Sequence, residues 1–359
     1  MLRRLFFLVA LLVATPAGAQ QLVVRVDAES ARAVLAAVRN PALTRDAALA
    51  VARLPGNQGL IRKTRSYNRP ASDEIFADAL LAAAQHKPND AEGDFKFADV
   101  RDNADSIGPV IEALAGSGSH ALDTVRARIA QFTPARVKGA AAGYLVVGGR
   151  SGGFAFGEPQ FYLNIARFPS ALLATTIMEH ELYHGVQGLA AGLLPKNSAA
   201  EKCLAAIPEA ASLTELYDSL RMEGTASFVG DVLALPAGDP GVKKDRDHAQ
   251  RGIDLVSRSV TLLALSTHAL TSESHVAYED IYALGFYGDE ILYSLGYVMT
   301  RAIAKQGGDA AVADLIDQPG AVMILRYAAL EGYGKQKDVP ALDPRTIEWA
   351  KKLAGCYAD

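Results

Sequence analysis

Residues 169–194 read PSALLATTIMEHELYHGVQGLAAGLL, and the rest of the chain falls into place around them. Ser170 can cap a helix just after Pro169, and no further proline interrupts before Pro195. On that helix His180 and His184 are i,i+4 neighbours, so both imidazoles leave one face a turn apart. Two imidazoles so placed can grip one Zn²⁺, and Glu181, offset by one residue, can lie against a metal-bound water. Met178, Leu182, Val186 and Leu189 supply an apolar back that buries the helix. Polar groups on a buried helix cost several kcal/mol when unpaired, so this front face calls for a chemical reason.

A catalytic zinc takes three protein ligands and keeps one position for water. The extended pattern HExxHxxGxxH is closed here, because Gln187 and Ala190 occupy its Gly and His positions. A glutamate from a second helix is the other common solution. Ser212-Leu213-Thr214-Glu215 has the form of a capping box and opens a helical stretch reaching toward Pro236. Glu223 lies in its middle, followed by Gly224, Thr225, Ala226 and Ser227. Small residues there, with Gly185 and Gly188 on the first helix, would let the two backbones approach. Leu216 and Leu220 share the face of Glu223, which speaks against a merely solvated carboxylate. Glu223 is the first candidate ligand; Glu215, Asp218, Asp231 and the distant histidines are the others. Ser227 and Asp231, one and two turns on, are candidates for fixing an imidazole.

Upstream, Tyr144–Val147, Phe154–Phe156 and Phe161–Ile165 read as strands of a small sheet, the last alternating with Phe161, Leu163 and Ile165 on one face. Between the first two, Gly148-Gly149-Arg150-Ser151-Gly152-Gly153 lacks the order of a phosphate loop and suggests a hairpin turn. The last strand is a candidate exposed edge on which an extended peptide can pair. Residues 22–135 read as helix after helix. Caps are expected at Asp27, Thr44 and Ser72, the helix from Thr44 ending at Leu54-Pro55-Gly56, with further helices around Asp99–Ala115 and Ala121–Phe132. His86 and His120 fall at helix edges and read as solvated, and the block reads as a helical support. The fold class is therefore mainly α with a small sheet (α+β).

The first 19 residues, MLRRLFFLVALLVATPAGA, have a basic start, a short apolar core and an A-x-A end, the form of a cleaved secretory signal. The apolar run is too short to span a membrane. Export to a periplasm or beyond is expected, with no stable membrane insertion after cleavage. Half of the 359 residues are hydrophobic and 21% charged, as in an ordinary globule, and the net charge of −4 argues against nucleic acid as a partner. The two cysteines, Cys203 and Cys356, lack zinc-site spacing and suit a disulfide in an oxidising compartment. The expected organisation is a signal over 1–19, a helical region over 20–135 and a metallopeptidase domain over 136–359.

His180-Glu181-x-x-His184 followed by Glu223-Gly224-Thr225-Ala226 resembles the glutamate-ligand zincins, the gluzincins. More narrowly it is similar to a family of zinc-dependent peptidases found among bacterial exported proteins. Tyr293-Ser294-Leu295-Gly296-Tyr297-Val298-Met299 is similar to the tyrosine–glycine helix that follows the glutamate helix in such families. Ser227 stands where thermolysin-type enzymes carry an aspartate behind the metal, and the gap from His184 to Glu223 is longer than theirs. The resemblance implies a zincin-like core, with Zn²⁺ held by His180, His184 and Glu223 and a peptide or protein substrate. Glu181 would be the base for an attacking water. An oxyanion donor is also needed; Tyr293 is the first candidate, then Tyr287 and Tyr297, out of 13 tyrosines. His268 and His275, in a polar segment, read as surface histidines. The competing expectation is a noncatalytic exported helical protein whose HExxH site is structural or a relic, and whose N-terminal helices bind a partner.

Overall fold

A computed structural model of the chain describes residues 22–193, 198–272 and 276–358. The expected signal segment and His275 lie outside these residues. The protein is mainly α-helical with one small sheet. Strand β1 (Val23–Asp27) leads into helices α1 (Glu29–Val38), α2 (Arg45–Ala52), α3 (Pro55–Ser66), α4 (Asp73–Ala84), α5 (Glu92–Phe95), α6 (Phe97–Asp102), α7 (Ala104–Ala115) and α8 (Ala121–Gln131). Strands β2 (Ala140–Val146), β3 (Gly153–Ala155) and β4 (Gln160–Asn164) follow, then the long helix α9 (Ala171–Leu193). The remainder is α10 (Ser198–Ala205), α11 (Ala210–Val229), α12 (Pro240–Asp254), α13 (Val256–Leu270), α14 (Tyr278–Phe286), α15 (Ile291–Ala313), α16 (Gly320–Ala328) and α17 (Pro344–Gly355).

Thr44 and Ser72 cap α2 and α4 as their sequence positions suggest, accepting the Ala47 and Ile75 amides. Two elements of the N-terminal region differ from expectation. Residues 23–27 form a strand, because three valines in five residues suit an extended chain and β2 offers a parallel partner, Val23 opposite Ala140. Asp27 still serves the following helix, its carboxylate accepting the Glu29 amide at 2.8 Å. Pro55 does not merely end α2; it occupies the first turn of α3, where its missing N–H costs nothing.

The sheet order is β1-β2-β4-β3, with β3 alone antiparallel. The glycine-rich segment is therefore not a hairpin turn between β2 and β3 but a loop carrying the chain past β4. Asn164 fixes it, accepting from the Gly148 amide and donating to the Ser151 carbonyl. Gly148 and Gly149 adopt φ of 104° and 82°, a conformation that favours glycine. The hairpin is β3–β4 instead. β4, expected at an edge, is interior: Tyr162 is buried under α3, where a Cβ on Gly59 would come within 1.9 Å of its ring. Tyr144, Tyr162 and Phe154 stack across three strands at 5.3 and 4.9 Å, fixing the register on that face. The edge beside α9 is β3.

Met178, Leu182, Val186 and Tyr183 of α9 are fully buried. Ser170 begins this helix through its carbonyl, while its hydroxyl goes to Asp239. α11 starts at Ala210, which leaves the Ser212–Glu215 box inside the helix. It ends at Val229 and not near Pro236, because its backbone runs into α9. A Cβ on Gly230 would lie 2.5 Å from the Thr176 carbonyl and 2.8 Å from the His180 amide. The close helix contact allowed by Gly224 is with α15, where Gly296 meets it backbone to backbone. Gly185 and Gly188 face Pro159 and Gly157, not α11.

Apolar side chains gather in two clusters, one around the sheet and α1–α9, the other around α11 and α13–α17, and Phe228 packs against both. Arg128 of α8 donates to the Val229 and Phe228 carbonyls at 2.9 and 3.1 Å, capping α11 from the N-terminal region. Arg136 adds a two-pronged ion pair to Asp317.

Cys203 and Cys356 form a disulfide that ties α10, in the link between α9 and α11, to the end of α17. Thiol titration of the folded protein without reductant should find no free thiol. Cross-linking residues 153 apart contributes at most ~5 kcal/mol in the chain-entropy estimate, so reduction should lower the melting temperature clearly. Two titratable thiols in the folded protein would refute the pairing.

Candidate metal centre

The i,i+4 spacing does what helix geometry requires: the His180 and His184 Nε2 atoms stand 3.0 Å apart on the front of α9. From α11, Glu223 Oε2 reaches to 3.1 Å from His184 Nε2 and 3.5 Å from His180 Nε2. Donors at 2.0–2.1 Å from a tetrahedral zinc lie about 3.3 Å apart, so these spacings already have the size of a zinc site. Among the described residues this trio is the cluster of His, Cys, Asp or Glu able to hold a metal ion. The other candidates are elsewhere: Glu215 is exposed, and Asp218 accepts the Gly320 amide at the start of α16. Asp231 accepts the Leu233 amide and the Tyr297 hydroxyl.

Electrostatics follow from that packing. Burial pushes Glu223 upward, but the two imidazoles outweigh it and hold the carboxylate far below its usual range. Burial likewise opposes a charge on His184, yet Glu223 prevails and lifts the imidazole to about 9. Protons thus occupy this cluster when no metal does, and metal uptake must displace them. Burial raises Glu181, with partial relief from His180 and His184. Tyr293 is raised well above its ordinary value, first by burial and then by the Glu223 charge, so it stays a hydroxyl donor.

A cavity of about 400 Å³ opens beside the trio, lined by His180 and Glu181 of α9, Gly153 of β3, Asp231 beyond α11, and Glu290, Tyr293 and Tyr297 of α15 with its cap. Gly153 is there because of Glu181: a Cβ at 153 would lie 2.1 Å from its Oε1. The Tyr293 ring stacks with His180 at 6.3 Å between centroids. Tyr297 also lines the cavity, but its hydroxyl is committed to Asp231 at 3.1 Å. Tyr287 is 62% exposed and packs on Tyr282, away from the cavity. Ser227 lines the cavity without bonding an imidazole, and Asp231 takes Tyr297 in place of a histidine. His86 and His120 are exposed, and so is His268, which meets Arg345.

Sequence reasoning passed over three participants. Gln187 appears there only as a departure from a longer motif, yet its amide joins His184 to α11. Gly153 belongs to a glycine run that no motif explains. Glu290 takes a left-handed φ of 50° at the head of α15, a conformation no sequence signal announces. Spacing i+3 from His184 was the signal that could have found Gln187.

Glu179, beside His180 in the chain, is only 8% exposed. Burial raises it to about 7, with the Arg128 guanidinium offsetting part of the effect. A carboxyl so raised takes up a proton on folding, so its contribution to stability falls as pH rises from about 4.5 to 7. With metal chelated, Glu179→Gln should match the wild type near pH 4.5 and exceed it by on the order of 2 kcal/mol at pH 8. Equal stabilities at pH 8 would contradict this reading.

No curated protein and no solved structure matches the chain. A family profile, however, matches residues 50–330, which takes in α9, α11 and α15 with every residue of the trio and of the cavity named above. The chain belongs to the family described as "Putative zinc dependent peptidase (DUF5700)".

Proposed function

We propose that the protein is an exported peptidase of the gluzincin type, holding zinc on His180, His184 and Glu223 and hydrolysing peptide bonds with Glu181 as the base. The observation that carries this reading is the pairing of two arrangements in one place. Three donors stand at zinc-site spacing, and an additional carboxylate, Glu181, lines the adjoining cavity without a side-chain hydrogen bond. A structural zinc site closes with four ligands and has no use for a base beside them. The disulfide suits an oxidising compartment and supports export.

When bound, zinc supplies a polarised water and a Lewis acid for the scissile carbonyl. Glu181 accepts the proton of the attacking water and hands it to the leaving amine; burial raises its pKa, which makes the carboxylate a stronger base. Tyr293 donates its hydroxyl to the oxygen that becomes negative as the carbonyl is attacked. An extended substrate pairs along β3, an edge strand of the sheet, which brings its backbone past Gly153 and Glu181.

Purified protein should bind one zinc per chain, and His184→Ala or Glu223→Ala should abolish it. Glu181→Gln should keep zinc and lose peptide hydrolysis by roughly 10²-fold or more. Tyr293→Phe should keep zinc and lose about 10- to 1000-fold. Gly153→Ala should keep zinc and lose activity by displacing Glu181. A Glu181→Gln protein cleaving a peptide library as fast as the wild type would sink the mechanism.

A further inference from the structure

Gln187 is 2% exposed and sits one turn beyond His184 on α9. Its side chain has three polar neighbours. Oε1 is 2.8 Å from His184 Nδ1, while Nε2 is 3.0 Å from the Met222 carbonyl and 2.8 Å from Thr225 Oγ1. The amide has one possible orientation. Met222 O can only accept, and Thr225, itself fully buried, spends its one proton on the Arg221 carbonyl at 2.8 Å. Turning the amide over would set Oε1 against the Met222 carbonyl and leave both without a proton in a dry site. Both amide protons therefore point to α11, and Oε1 faces the imidazole. An oxygen there accepts, so Nδ1 carries a hydrogen in every state of the ring, and Nε2, which faces His180 and Glu223, is the nitrogen that would give up its proton to a metal.

We infer that Gln187 is the positioning residue of the metal site, fixing the tautomer of His184 and, through Met222, the register of the Glu223 helix against the histidine helix. Met222 directly precedes Glu223, so one side chain spans the two ligand-bearing elements within a residue of each. The residue type follows from the same geometry. A glutamate at 187 would still accept from Nδ1 but would oppose the Met222 carbonyl. A leucine would leave His184 Nδ1 unpaired and would take the cross-helix donor away from Met222 and Thr225, which keep only contacts within α11. A neutral amide satisfies every partner. The inference rests on the zinc reading above, and its test separates the two.

Zinc affinity is measured by chelator competition on the whole chain for wild type, Gln187→Leu, Gln187→Glu and Thr225→Val. Circular dichroism checks each fold. Gln187→Leu should lose about 10- to 100-fold in affinity, the scale seen when a group behind a metal-bound histidine is removed. Gln187→Glu, which keeps the acceptor, should fall between Leu and wild type, and Thr225→Val should lose less than Gln187→Leu. Cobalt(II)-substituted protein gives a readout that loss of packing alone would not reproduce. The wild type should show a hyperfine-shifted, slowly exchanging His184 Nδ1–H resonance, retained in Gln187→Glu and broadened by solvent exchange in Gln187→Leu. Should Gln187→Leu fail to fold, Gln187→Glu and the wild-type resonance still decide. Tight zinc binding by the wild type with Gln187→Leu within two-fold of it, or no slow His184 Nδ1–H, overturns the assignment and leaves the zinc reading standing. A wild type that takes up neither metal overturns the zinc reading and the assignment together.

Discussion

Two imidazoles and a carboxylate gathered within 3.5 Å of one another, largely out of water, are costly to hold together. Nothing about a helix pair makes it spontaneous. The architecture reads as the means of holding it. α9 is pressed between the sheet and α7, α8 and α11, and its back face is fully buried. α11 is held from three directions: by α15 through the Gly224–Gly296 contact, by Arg128 at its last carbonyls, and by Gln187 in its middle. Neither helix is free to relax away from the other's charge.

That view gives the N-terminal region a physical role. Its strand joins the sheet, α7 and α8 pack on α9, and Arg128 and Arg136 reach into the C-terminal half. Its contacts fall on α9 and α11, the two helices that carry the trio.

What the sequence reveals is what depends on local spacing. The imidazole pair follows from i,i+4 geometry alone, and Glu223 stood out because it occupied an otherwise apolar helix face. The caps at Thr44 and Ser72 are equally local. What stayed hidden depends on partners far along the chain. Val23–Asp27 is a strand because β2, formed by residues 140–146, lies beside it; the segment offers no turn of its own to announce a sheet. β4 is interior because β2 pairs on one side of it and β3 on the other, and α3, which covers Tyr162, was obscured by a Pro-Gly pair that reads equally as an ending and a beginning. Gly224 was rightly marked as a place for close approach, but sequence cannot say which helix approaches. Gln187 was hidden by the motif itself, since attention to the expected glycine left its amide unexamined.

The parallel pairing of β1 with β2 also bears on the order of events in folding. β1 is the first strand of the described residues, yet its register partners are residues 140–144, after eight intervening helices. Parallel strands so far apart close late, because the chain entropy of the long loop is lost before any ladder hydrogen bond is gained. Until then the valine-rich segment has no sheet to join, and an unpaired apolar strand is a site for wrong associations. In the finished protein Arg126 donates to the outward Val24 carbonyl at 2.6 Å, so this edge stays guarded once it has formed. Synthesis therefore delivers early a piece that assembly needs late, and the interval between the two is when the chain is most open to aggregation.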